Sequence, residues 1–458
     1  MLYDVIIVGA GPAGIFAAMT IIEKQPKWKV LILERGNDIE ARICPMLAQH
    51  IPCMQCARCA ITSGWGGAGA YSDGKLTLTT DYGGWLGEYI GNDALEHYIE
   101  AVDAVYVAYG GTTKVFGVDQ EKIRAIHRLA ATAELKFLPA RIRHLGTEVN
   151  LEILKRMRQD VGEKVEVRTN VTVQSLIVNN GKAQGVELDD GSRLACRYLL
   201  CVPGREGHEW FDEEAKRLGL NRKNNPVDIG VRVELPAVVT EQLTDVIYES
   251  KFIYYSPSFD DQVRTFCMNP YGEVVTENTR GLITVNGHSY AEKRTENTNF
   301  ALLVSKSFTE PFKQPISYGK SIASLANMLG DGVLLQRLGD LLDGRRSTVE
   351  RIKRGMVRPT LEEATPGDLS LVLPYRHLKS IIEMLQALDR VAPGVASRHT
   401  LLYGVEAKFY SSRLQVSAEL ETAIPNLFAA GDGAGVTRGL VQASASGVVA
   451  AEAICLRG

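Results

Sequence analysis

The sequence has no excess of basic residues. Its 51 lysines and arginines are outnumbered by 54 aspartates and glutamates, and the formal net charge is −3 at pH 7. A protein that holds nucleic acid by its phosphates presents a strong positive field, which this composition does not supply. We therefore expect no nucleic-acid partner.

Long apolar runs are also lacking. No stretch reaches the roughly 18–20 apolar residues that a membrane-spanning helix needs, and the first residues enter an apolar strand without the segments of a secretory signal. We therefore expect no membrane span and a cytoplasmic protein, whose cysteines are reduced or bound to metal. With 458 residues, of which 45% are hydrophobic, the chain is long enough for two or three globular domains.

A strand, a glycine-rich turn and a helix begin the chain. Residues 4–8 (DVIIV) form a short apolar run, GAGPAG follows at 9–14, and apolar residues at helical spacing continue to residue 24. A second apolar run at 30–33 ends in Glu34, at the distance from the glycines that the dinucleotide fingerprint requires. This order predicts a βαβ unit that binds a dinucleotide.

Each part of this unit has a physical task. Gly9 permits the tight turn, Gly11 lets the backbone approach a pyrophosphate, and Gly14 lets the helix pack against the strand. The helix N-terminus directs N–H groups at the phosphates, and the Glu34 carboxylate can accept hydrogen bonds from a ribose. The predicted cofactor contacts in this unit are Gly9, Gly11, Pro12, Ala13, Gly14 and Glu34.

The last part of the chain has a further apolar strand that leads into glycines. Residues 424–433 read IPNLFAAGDG, glycines follow at 435 and 439, and small residues fill a helix over 443–454. This resembles the second FAD motif of the glutathione-reductase-like flavoproteins, in which the aspartate binds the ribityl hydroxyls and the helix N-terminus faces the flavin. The resemblance implies contacts from Gly431, Asp432, Gly439 and Leu440.

A third segment of this kind lies in the middle of the chain. Residues 165–201 predict strands joined at the turns 179–181 (NNG) and 189–191 (DDG), and YLLCVPGR occupies 198–205. The latter is similar to the segment that closes the FAD site in the same superfamily, which implies contacts from the Val173 backbone, Pro203 and Gly204. Three separate motifs in this order predict FAD as the resident cofactor.

A glycine-rich stretch, SGWGGAGAYSDGKL, occupies 63–76. Such a density of glycine lets the backbone approach a flat ligand, and related flavoproteins place a similar segment beside the pyrophosphate and the isoalloxazine. The predicted contacts are Gly66, Gly67 and Ala68. We expect Ser72, Asp73 and Lys75 near the flavin, where a cation favours the anionic reduced ring, although Lys75 can equally be a solvated residue past a turn.

Two arginines follow Glu34. Arg35 and Arg42 resemble an E-R-G…R pattern whose arginines neutralise the phosphates of the cofactor. Of the two, Arg42 is the stronger candidate for this role.

Four of the eight cysteines lie within sixteen residues, in an insertion at 43–63. Cys44, Cys53, Cys56 and Cys59 have the spacing C-x8-C-x2-C-x2-C. Four thiolates can hold zinc or a [4Fe–4S] cluster, since C-x2-C-x2-C resembles part of a ferredoxin sequence. Two thiols can instead form a redox disulfide that exchanges electrons with the flavin, although the C-x4-C pair of the glutathione-reductase-like enzymes is absent. The plain alternative is four unligated thiols in a loop.

Several longer blocks resemble one family. They are GWGGAGAYSDGKL at 64–76, LPARIRHLGTE at 138–148, VDIGVRVE at 227–234, RTFCMNPYGEVV at 264–275, VNGHSY at 285–290 and LLYGVEAKFYSSRLQV at 401–416. Together they are similar to prokaryotic FAD-dependent dehydrogenases, described as NAD(P)/FAD-dependent oxidoreductases. The resemblance extends over nearly the whole chain and implies redox chemistry without implying a substrate.

Two blocks depart from the family pattern. The sequence has NPYG at 269–272 where CPGG is expected, and GDGAGVTRGL at 431–440 where a GEGAGYAGG run is expected. Both blocks are expected to border the active site. The substrate can therefore differ from that of other members.

Single polar residues in these blocks are further candidates. His144 and His288 can face a substrate, although a lone histidine is more often a structural hydrogen-bonding residue. Arg143 can anchor an anionic substrate or simply pair with a carboxylate. Arg438 is better placed, on the loop expected to meet the flavin edge.

The sequence contains no second complete strand–GxGxxG–helix unit, which enzymes with a dedicated NAD(P)H domain carry. Electrons are therefore expected from transiently bound NAD(P)H, from a substrate, or through an iron–sulfur relay. A nucleophile elbow, an H-E-x-x-H motif and a Ser-His-Asp order are also absent, so hydrolysis is not indicated.

These patterns predict an α/β protein with a Rossmann-like FAD-binding domain of the glutathione-reductase type and an inserted α+β substrate domain. The FAD domain is predicted at 1–210 and 400–458, and the insert at 211–399. Helices are predicted at 92–109, 119–135, 149–161, 322–342 and 375–391, and strands of the insert at 227–235, 263–268 and 282–285.

The leading hypothesis is an FAD-dependent oxidoreductase that moves a hydride between flavin and a small organic substrate, bound where the domains meet. The alternative is an electron-transfer flavoprotein whose cysteines pass electrons to a ferredoxin-like partner. A flavin-dependent RNA-modifying protein is disfavoured by the missing basic field, and a non-catalytic FAD-binding scaffold stays open.

Overall fold

The computed structural model describes residues 2–49, 54, 56–223, 225–279, 281–290, 293–306, 315–408 and 412–458. The chain divides into two compact units. The first unit comprises Met1–Lys114, Arg143–Asn225 and Ser411–Gly458. The second unit comprises Val115–Ile142 and Pro226–Tyr410.

Strands occur throughout the chain. In order they are β1 (Leu2–Val8), β2 (Val30–Leu33), β3 (Lys75–Leu78), β4 (Lys136–Leu138), β5 (Arg141–His144), β6 (Glu166–Arg168), β7 (Val173–Asn179), β8 (Lys182–Leu188), β9 (Arg193–Cys201), β10 (Arg222–Lys223), β11 (Val227–Pro236), β12 (Lys251–Tyr255), β13 (Gln262–Asn269), β14 (Glu273–Thr279), β15 (Leu282–His288), β16 (Asn297–Lys306), β17 (Leu334–Arg337), β18 (Thr365–Pro366), β19 (Leu401–Lys408), β20 (Arg413–Leu414) and β21 (Leu427–Ala429).

The helices are α1 (Pro12–Lys24), α2 (Pro45–Gln49), α3 (Leu86–Ile90), α4 (Asn92–Ala108), α5 (Gln120–Thr132), α6 (Thr147–Gly162), α7 (His208–Arg217), α8 (Glu241–Thr244), α9 (Pro315–Gly330), α10 (Leu338–Leu342), α11 (Val349–Lys353), α12 (Tyr375–Asp389) and α13 (Leu440–Cys455). Among the described residues, none of them is both long and apolar enough to cross a bilayer.

Strand β1 is central in the sheet of the first unit, whose order is β6-β2-β1-β9-β8-β7. It pairs in parallel with β2 and β9, and β21 pairs in parallel with β9. Ile6 and Ile7 are fully buried, as expected for a strand of a parallel sheet covered on both faces. Because these four strands run parallel, their carboxyl ends share one edge, the edge at which Rossmann-like sheets bind ligands. The predicted fold class is confirmed.

Helices α1 and α13 lie side by side through their small residues. A Cβ atom added at Gly447 would lie 2.0 Å from the carbonyl oxygen of Ala13, so the two backbones touch. Because these helices follow the first and the last glycine motif, their packing brings the two ends of the chain together.

The second unit has a mainly antiparallel sheet in the order β18-β17-β19-β11-β16-β13-β12-β4. The apolar side chains of its strands belong to one of two apolar clusters. Val231 and Val233 of β11 enter the larger cluster, which also receives side chains of α5, α9 and α12. Leu335 and Tyr403 enter a smaller cluster with the β14–β15 hairpin. This antiparallel sheet with helices matches the α+β insert expected from the sequence.

The unit boundaries differ from the predicted ones. Residues 115–142 belong to the second unit, because Ile126 of α5 and Phe137 of β4 pack in its core and β4 pairs with β12. Residues 211–225 belong to the first unit and β19 to the second.

One predicted helix is wrong in extent. The pattern over 322–342 was continuous, but α9 ends at Gly330 and residues 334–337 form β17. Apolar residues at these positions satisfy either periodicity, and pairing with β19 decides for the strand.

Candidate cofactor site

The turn between β1 and α1 is as tight as its glycines allow. Gly9 has φ +112°, and a Cβ there would lie 2.3 Å from the carbonyl oxygen of Val202. A Cβ at Gly14 would lie 2.1 Å from the carbonyl oxygen of Gly9. At Gly11 the nearest atom is 3.9 Å away, the Cα of Gly67. Gly9 and Gly14 are therefore required by packing, whereas Gly11 leaves open space at the helix N-terminus.

The glycine-rich stretch 63–76 lies against the starts of α1 and α13. A Cβ at Gly69 would lie 2.5 Å from Cδ2 of Leu440 and 3.5 Å from Cγ of Pro12. The amide of Gly66, which has φ +85°, donates to the carbonyl of Ala10 at 2.8 Å. Residues 67–71, which include Ala68, form a turn of 3₁₀ helix.

The motif before α13 contacts the segment after β9. A Cβ at Gly433 would lie 2.5 Å from the carbonyl oxygen of Gly204 and 3.0 Å from Cγ of Pro203. A Cβ at Gly431 would lie 3.3 Å from Cβ of Ala13. Four separate segments of the sequence thus meet at one edge of the first unit's sheet.

Asp432 stands beside the N-terminus of α13. Its Oδ1 accepts a hydrogen bond from Thr437 Oγ1 at 2.8 Å, and its Oδ2 lies 3.5 Å from the amide of Gly439 and 3.9 Å from Nε of Arg205. Burial raises the pKa of this carboxyl. Such a carboxylate suits hydroxyl donors from a ligand, because further hydrogen bonds favour its charged form.

The Glu34 carboxylate is buried and binds the backbone. Its Oε2 accepts from the amide of Ala10 at 2.9 Å, and its Oε1 accepts from the amides of Gly36 and Gly64 at 2.8 and 2.9 Å. It therefore fixes the turn after β1, the turn after β2 and the start of the glycine-rich stretch. A ribose contact stays a prediction.

The Arg42 guanidinium is buried and binds backbone carbonyls. Arg42 is 3% exposed, and its guanidinium donates to four carbonyl oxygens at 2.6–2.9 Å, those of Ala60, Ile61, Trp65 and Gly67. Burial lowers its pKa. With four hydrogen bonds directed at carbonyls, Arg42 braces the glycine-rich stretch from within, and its contact with a cofactor phosphate stays a prediction.

Arg35 is also engaged by protein groups. Its Nη2 donates to Ser63 Oγ at 3.0 Å and pairs with Glu206 at 3.1 Å. The Glu206 carboxylate neutralises the charge of Arg35, so the predicted contact of Arg35 with the phosphates gains no support.

Ser72, Asp73 and Lys75 lie where the glycine-rich stretch joins β3. Ser72 Oγ donates to the carbonyl of Gly69 at 2.7 Å, which ends the 3₁₀ turn. Lys75 and Asp73 form an ion pair at 3.0 Å, with side chains 9% and 15% exposed. The amides of residues 145 and 146 donate to the carbonyls of residues 74 and 73, which brings His144 to the same place. Whether these groups act on a substrate stays a prediction.

Sequence reasoning missed Trp85. Its amide donates to the carbonyl of Val436 at 2.8 Å, and its ring stacks under Arg438, whose Cζ lies 3.9 Å from the ring centroid. Arg413 contacts the ring at 5.2 Å and pairs with Glu88 at 2.6 Å. The preceding glycines at 83 and 84, both with positive φ, were the available signal.

Two other candidates lie in structural contacts. Arg143 forms a bidentate pair with Asp103, with both distances at 2.7 Å, and donates to the carbonyl of Thr112. It is therefore not available as the proposed substrate anchor. His288 contacts the ring of Tyr290 edge-on at 4.6 Å, in the second unit.

The cysteine insertion gives no support to a metal site. Cys44, Cys56 and Cys59 are free thiols, and Cys53 lies outside the described residues. Among the residues that the structure describes, no three histidine, cysteine or acidic side chains form a group that can hold a metal. Zinc and a [4Fe–4S] cluster thus stay predictions, and the electron-relay alternative gains nothing from the fold.

These residues fit FAD. The space beside Gly11 lies at the N-terminus of α1, whose first amides have no partner within the helix. The hydrogen-bond acceptor Asp432 lies at the start of α13. Glycines that have no room for a side chain lie beside the N-termini of both α1 and α13. Val173, predicted to contact the adenine, begins β7 of the same sheet.

Comparison with known proteins agrees with this assignment. Residues 226–409 match the model of a family described as "FAD-dependent protein, C-terminal domain-like". A protein of Clostridium beijerinckii described as uncharacterized is 27% identical over 483 residues, which cover 98% of this chain and 80% of that protein. Residues 226–409 are therefore similar to the C-terminal domain of FAD-dependent proteins.

Solved structures to which the chain shows partial likeness include several flavoenzymes. A 3-ketosteroid-Δ4-(5α)-dehydrogenase from Rhodococcus jostii RHA1 has a TM-score of 0.44 and 15% identity, over 99% of this chain and 97% of that one. A glycine oxidase from Bacillus cereus has a TM-score of 0.38 and 12% identity, over 100% and 96%. At these scores the likeness carries no inference about activity.

Proposed function

We propose that the protein is an FAD-dependent oxidoreductase that transfers a hydride between a small anionic organic substrate and the flavin. The observation that carries the proposal is the meeting of four glycine-containing segments at the carboxyl edge of the first unit's sheet. The matched FAD-dependent family supports the cofactor. Bound FAD would supply a ring nitrogen that accepts or gives a hydride.

The chain's own residues would bind the cofactor and orient it. The N-terminus of α1 receives the pyrophosphate, since its amides and helix dipole favour an anion. Asp432 accepts hydrogen bonds from the ribityl hydroxyls, and the N-terminus of α13 places partial positive charge near the ring. Lys75, paired with Asp73, adds a cation whose field is partly balanced.

The Arg438–Trp85 stack is the proposed substrate anchor. The Trp85 ring holds the guanidinium in one orientation, and the backbone of Arg438 is fixed by a 2.7 Å hydrogen bond to the carbonyl of Gly83. An oriented guanidinium binds a carboxylate by two parallel hydrogen bonds. We therefore infer a substrate that carries a carboxylate or a similar anion.

The test begins with flavin content. Purified protein should carry FAD, or take it up and turn yellow, with one flavin per chain. Bound flavin should then be reduced anaerobically by a small carboxylate substrate or by transiently bound NADH or NADPH. A colourless protein that takes up no FAD would end the proposal.

A matched pair of variants tests the anchor. Arg438→Gln should raise KM for an anionic substrate by about 10- to 100-fold with flavin content unchanged, because a charge-assisted bidentate contact is lost. Arg413→Gln removes a second guanidinium, which contacts the same ring at the longer distance of 5.2 Å and pairs with Glu88, and KM should hardly change. Equal effects of both variants would contradict the assignment.

A further inference from the structure

A cationic surface segment lies in the second unit at residues 343–354, which we call the basic segment. Its charged residues are Asp343, Arg345, Arg346, Glu350, Arg351, Lys353 and Arg354. Five cations thus stand against two carboxylates in twelve residues, in a chain whose net charge is −3. The segment therefore carries a local net positive charge.

Part of this charge is balanced within the protein. Arg345 pairs with Asp340 and Asp343 at 3.0 Å, and Arg351 lies 4.0 Å from Asp340. For Arg346, Lys353 and Arg354 no ion pair occurs in the part of the chain that the structure describes, and all three side chains are exposed. These three cations are available to a partner.

Apolar side chains accompany these cations. Leu342, Val349 and Met356 are 46%, 48% and 78% exposed, while Ile352 anchors α11 in the smaller apolar cluster. Val349 and Lys353 stand one turn apart on α11, so they share a face. Methionine and arginine beside exposed aliphatic groups are typical of a protein interface.

Other anionic surfaces suit the segment less well. Residues 337–358 contain no aromatic residue on which a nucleic-acid base would stack. Helix α11 has five residues, too short to lie in a membrane interface as an amphipathic helix. An acidic protein surface is the complement that remains.

We propose that the basic segment docks a small acidic electron-carrier protein of the ferredoxin or flavodoxin kind. The inference rests on the proposed function, because a flavin that exchanges a hydride with a substrate must also exchange two electrons with a second reactant in each turnover, and an electron-carrier protein can be that reactant. In the reducing direction two carriers each lose one electron, and one bound FAD gains both together with protons from water. Charge complementarity would act mainly on the association rate.

The experiment measures flavin reduction by a pre-reduced plant-type ferredoxin and by a flavodoxin, anaerobically, at 20 and 300 mM salt. Arg346→Glu combined with Lys353→Glu should slow the reaction about tenfold or more at low salt and much less at high salt. The matched control is Arg124→Glu with Arg128→Glu, which makes the same charge change on the exposed face of α5. The control should react like the original protein.

Each other outcome overturns the docking proposal. It fails if neither carrier reduces the flavin or binds in calorimetry, or if both double variants slow the reaction equally. Binding to phosphatidylglycerol vesicles or to a 20-nucleotide RNA that only the segment variant loses, without carrier binding, would identify a membrane or nucleic-acid surface instead. Failure of the proposed function can be distinguished from failure of the docking proposal. In the former case the protein would contain no FAD, or its FAD would resist photoreduction.

Discussion

Two buried charges of the first unit and a buried ion pair of the second unit have different kinds of partner. In the first unit, Glu34 and Arg42 bind backbone amides and carbonyls of irregular segments. In the second, Arg232 and Glu406 are 0% exposed and bind each other at 2.7 Å across neighbouring strands. Loops without a hydrogen-bond ladder need such charges, whereas a sheet satisfies its own backbone and leaves side chains to pair.

This difference has a consequence for function. A charge that holds loops determines where glycine backbones stand around a ligand, so changing it should alter cofactor binding. A charge pair inside a sheet determines whether that unit folds. Substitutions in the two units separate these effects.

The largest expected effect is on the buried pair of the second unit. Arg232→Met should destabilise the protein by about 3–5 kcal/mol, because Glu406 is left as a buried charge with fewer partners. Urea unfolding followed by circular dichroism measures the change. Arg232→Met combined with Glu406→Leu should recover much of the loss. A double variant no more stable than the single one would contradict the pairing argument.

The second prediction concerns pH. His377 on α12 is 2% exposed, neither ring nitrogen has a hydrogen-bond partner among the described residues, and burial lowers its pKa to about 4. The unfolded histidine binds a proton below about pH 6.5, but the folded one only below about 4. Stability should therefore fall as the pH drops from 6.5 to 4, by about 3 kcal/mol from this residue.

His377→Gln measures this contribution. The difference in unfolding free energy between the variant and the original protein should shrink, or change sign in the variant's favour, as the pH falls from 7 to 4. His127→Gln, at an exposed position of α5, should leave the slope unchanged. Parallel pH profiles for His377→Gln and the original protein would refute the assignment.

Much of the first unit could be predicted from sequence because its information is local. Gly9 and Gly14 are required by contacts within a few residues or with the adjacent strand, and the 3.6-residue pattern predicted a helix at 92–109, where the structure has α4 at Asn92–Ala108. Such signals survive in a single sequence, because turn chemistry and helical periodicity do not depend on distant partners.

The features that the sequence did not reveal have non-local causes. Arg42 follows a pattern that resembles a phosphate-binding one, but its four carbonyl partners belong to segments whose position no spacing reveals. Strand β17 depends on β19, which lies far along the chain. Trp85 was missed because its role depends on a stack with Arg438. Packing between remote segments decided each case.

The third prediction tests whether Arg42 supports the glycine-rich stretch. Arg42→Met should cost about 2–3 kcal/mol of stability and weaken FAD binding, because buried carbonyls lose charged donors. Arg42→Lys should restore little, since one ammonium cannot reach carbonyls arranged around a planar fork. Denaturation and fluorescence titration with FAD measure the two effects.

The salt dependence of FAD affinity distinguishes a structural role of Arg42 from direct binding of a phosphate. If Arg42 braces the loop, FAD affinity of Arg42→Met should keep the salt dependence of the original protein. A reduced salt dependence would restore the phosphate-binding role. Arg35→Met, which loses Ser63 and Glu206 as partners, should cost about 1 kcal/mol or less.

The smallest expected change in stability belongs to Gly11, and it gives the sharpest test of the cofactor site. Gly11→Ala places a methyl group in open space, with φ −77° acceptable to alanine, so stability without FAD should change by no more than about 0.5 kcal/mol. FAD affinity should nevertheless fall at least tenfold, because the methyl group occupies the space expected for the pyrophosphate.

Gly14→Ala is the matched comparison on the same helix. Its Cβ would lie 2.1 Å from the carbonyl oxygen of Gly9, so the backbone must shift, and stability should fall by about 1–3 kcal/mol with or without FAD. If Gly11→Ala binds FAD as tightly as the original protein, the pyrophosphate does not lie at the N-terminus of α1. The helix would then have only a structural role, because a ligand group close to Gly11 would have been displaced by the methyl group. The place where the four segments meet would in that case hold a different ligand.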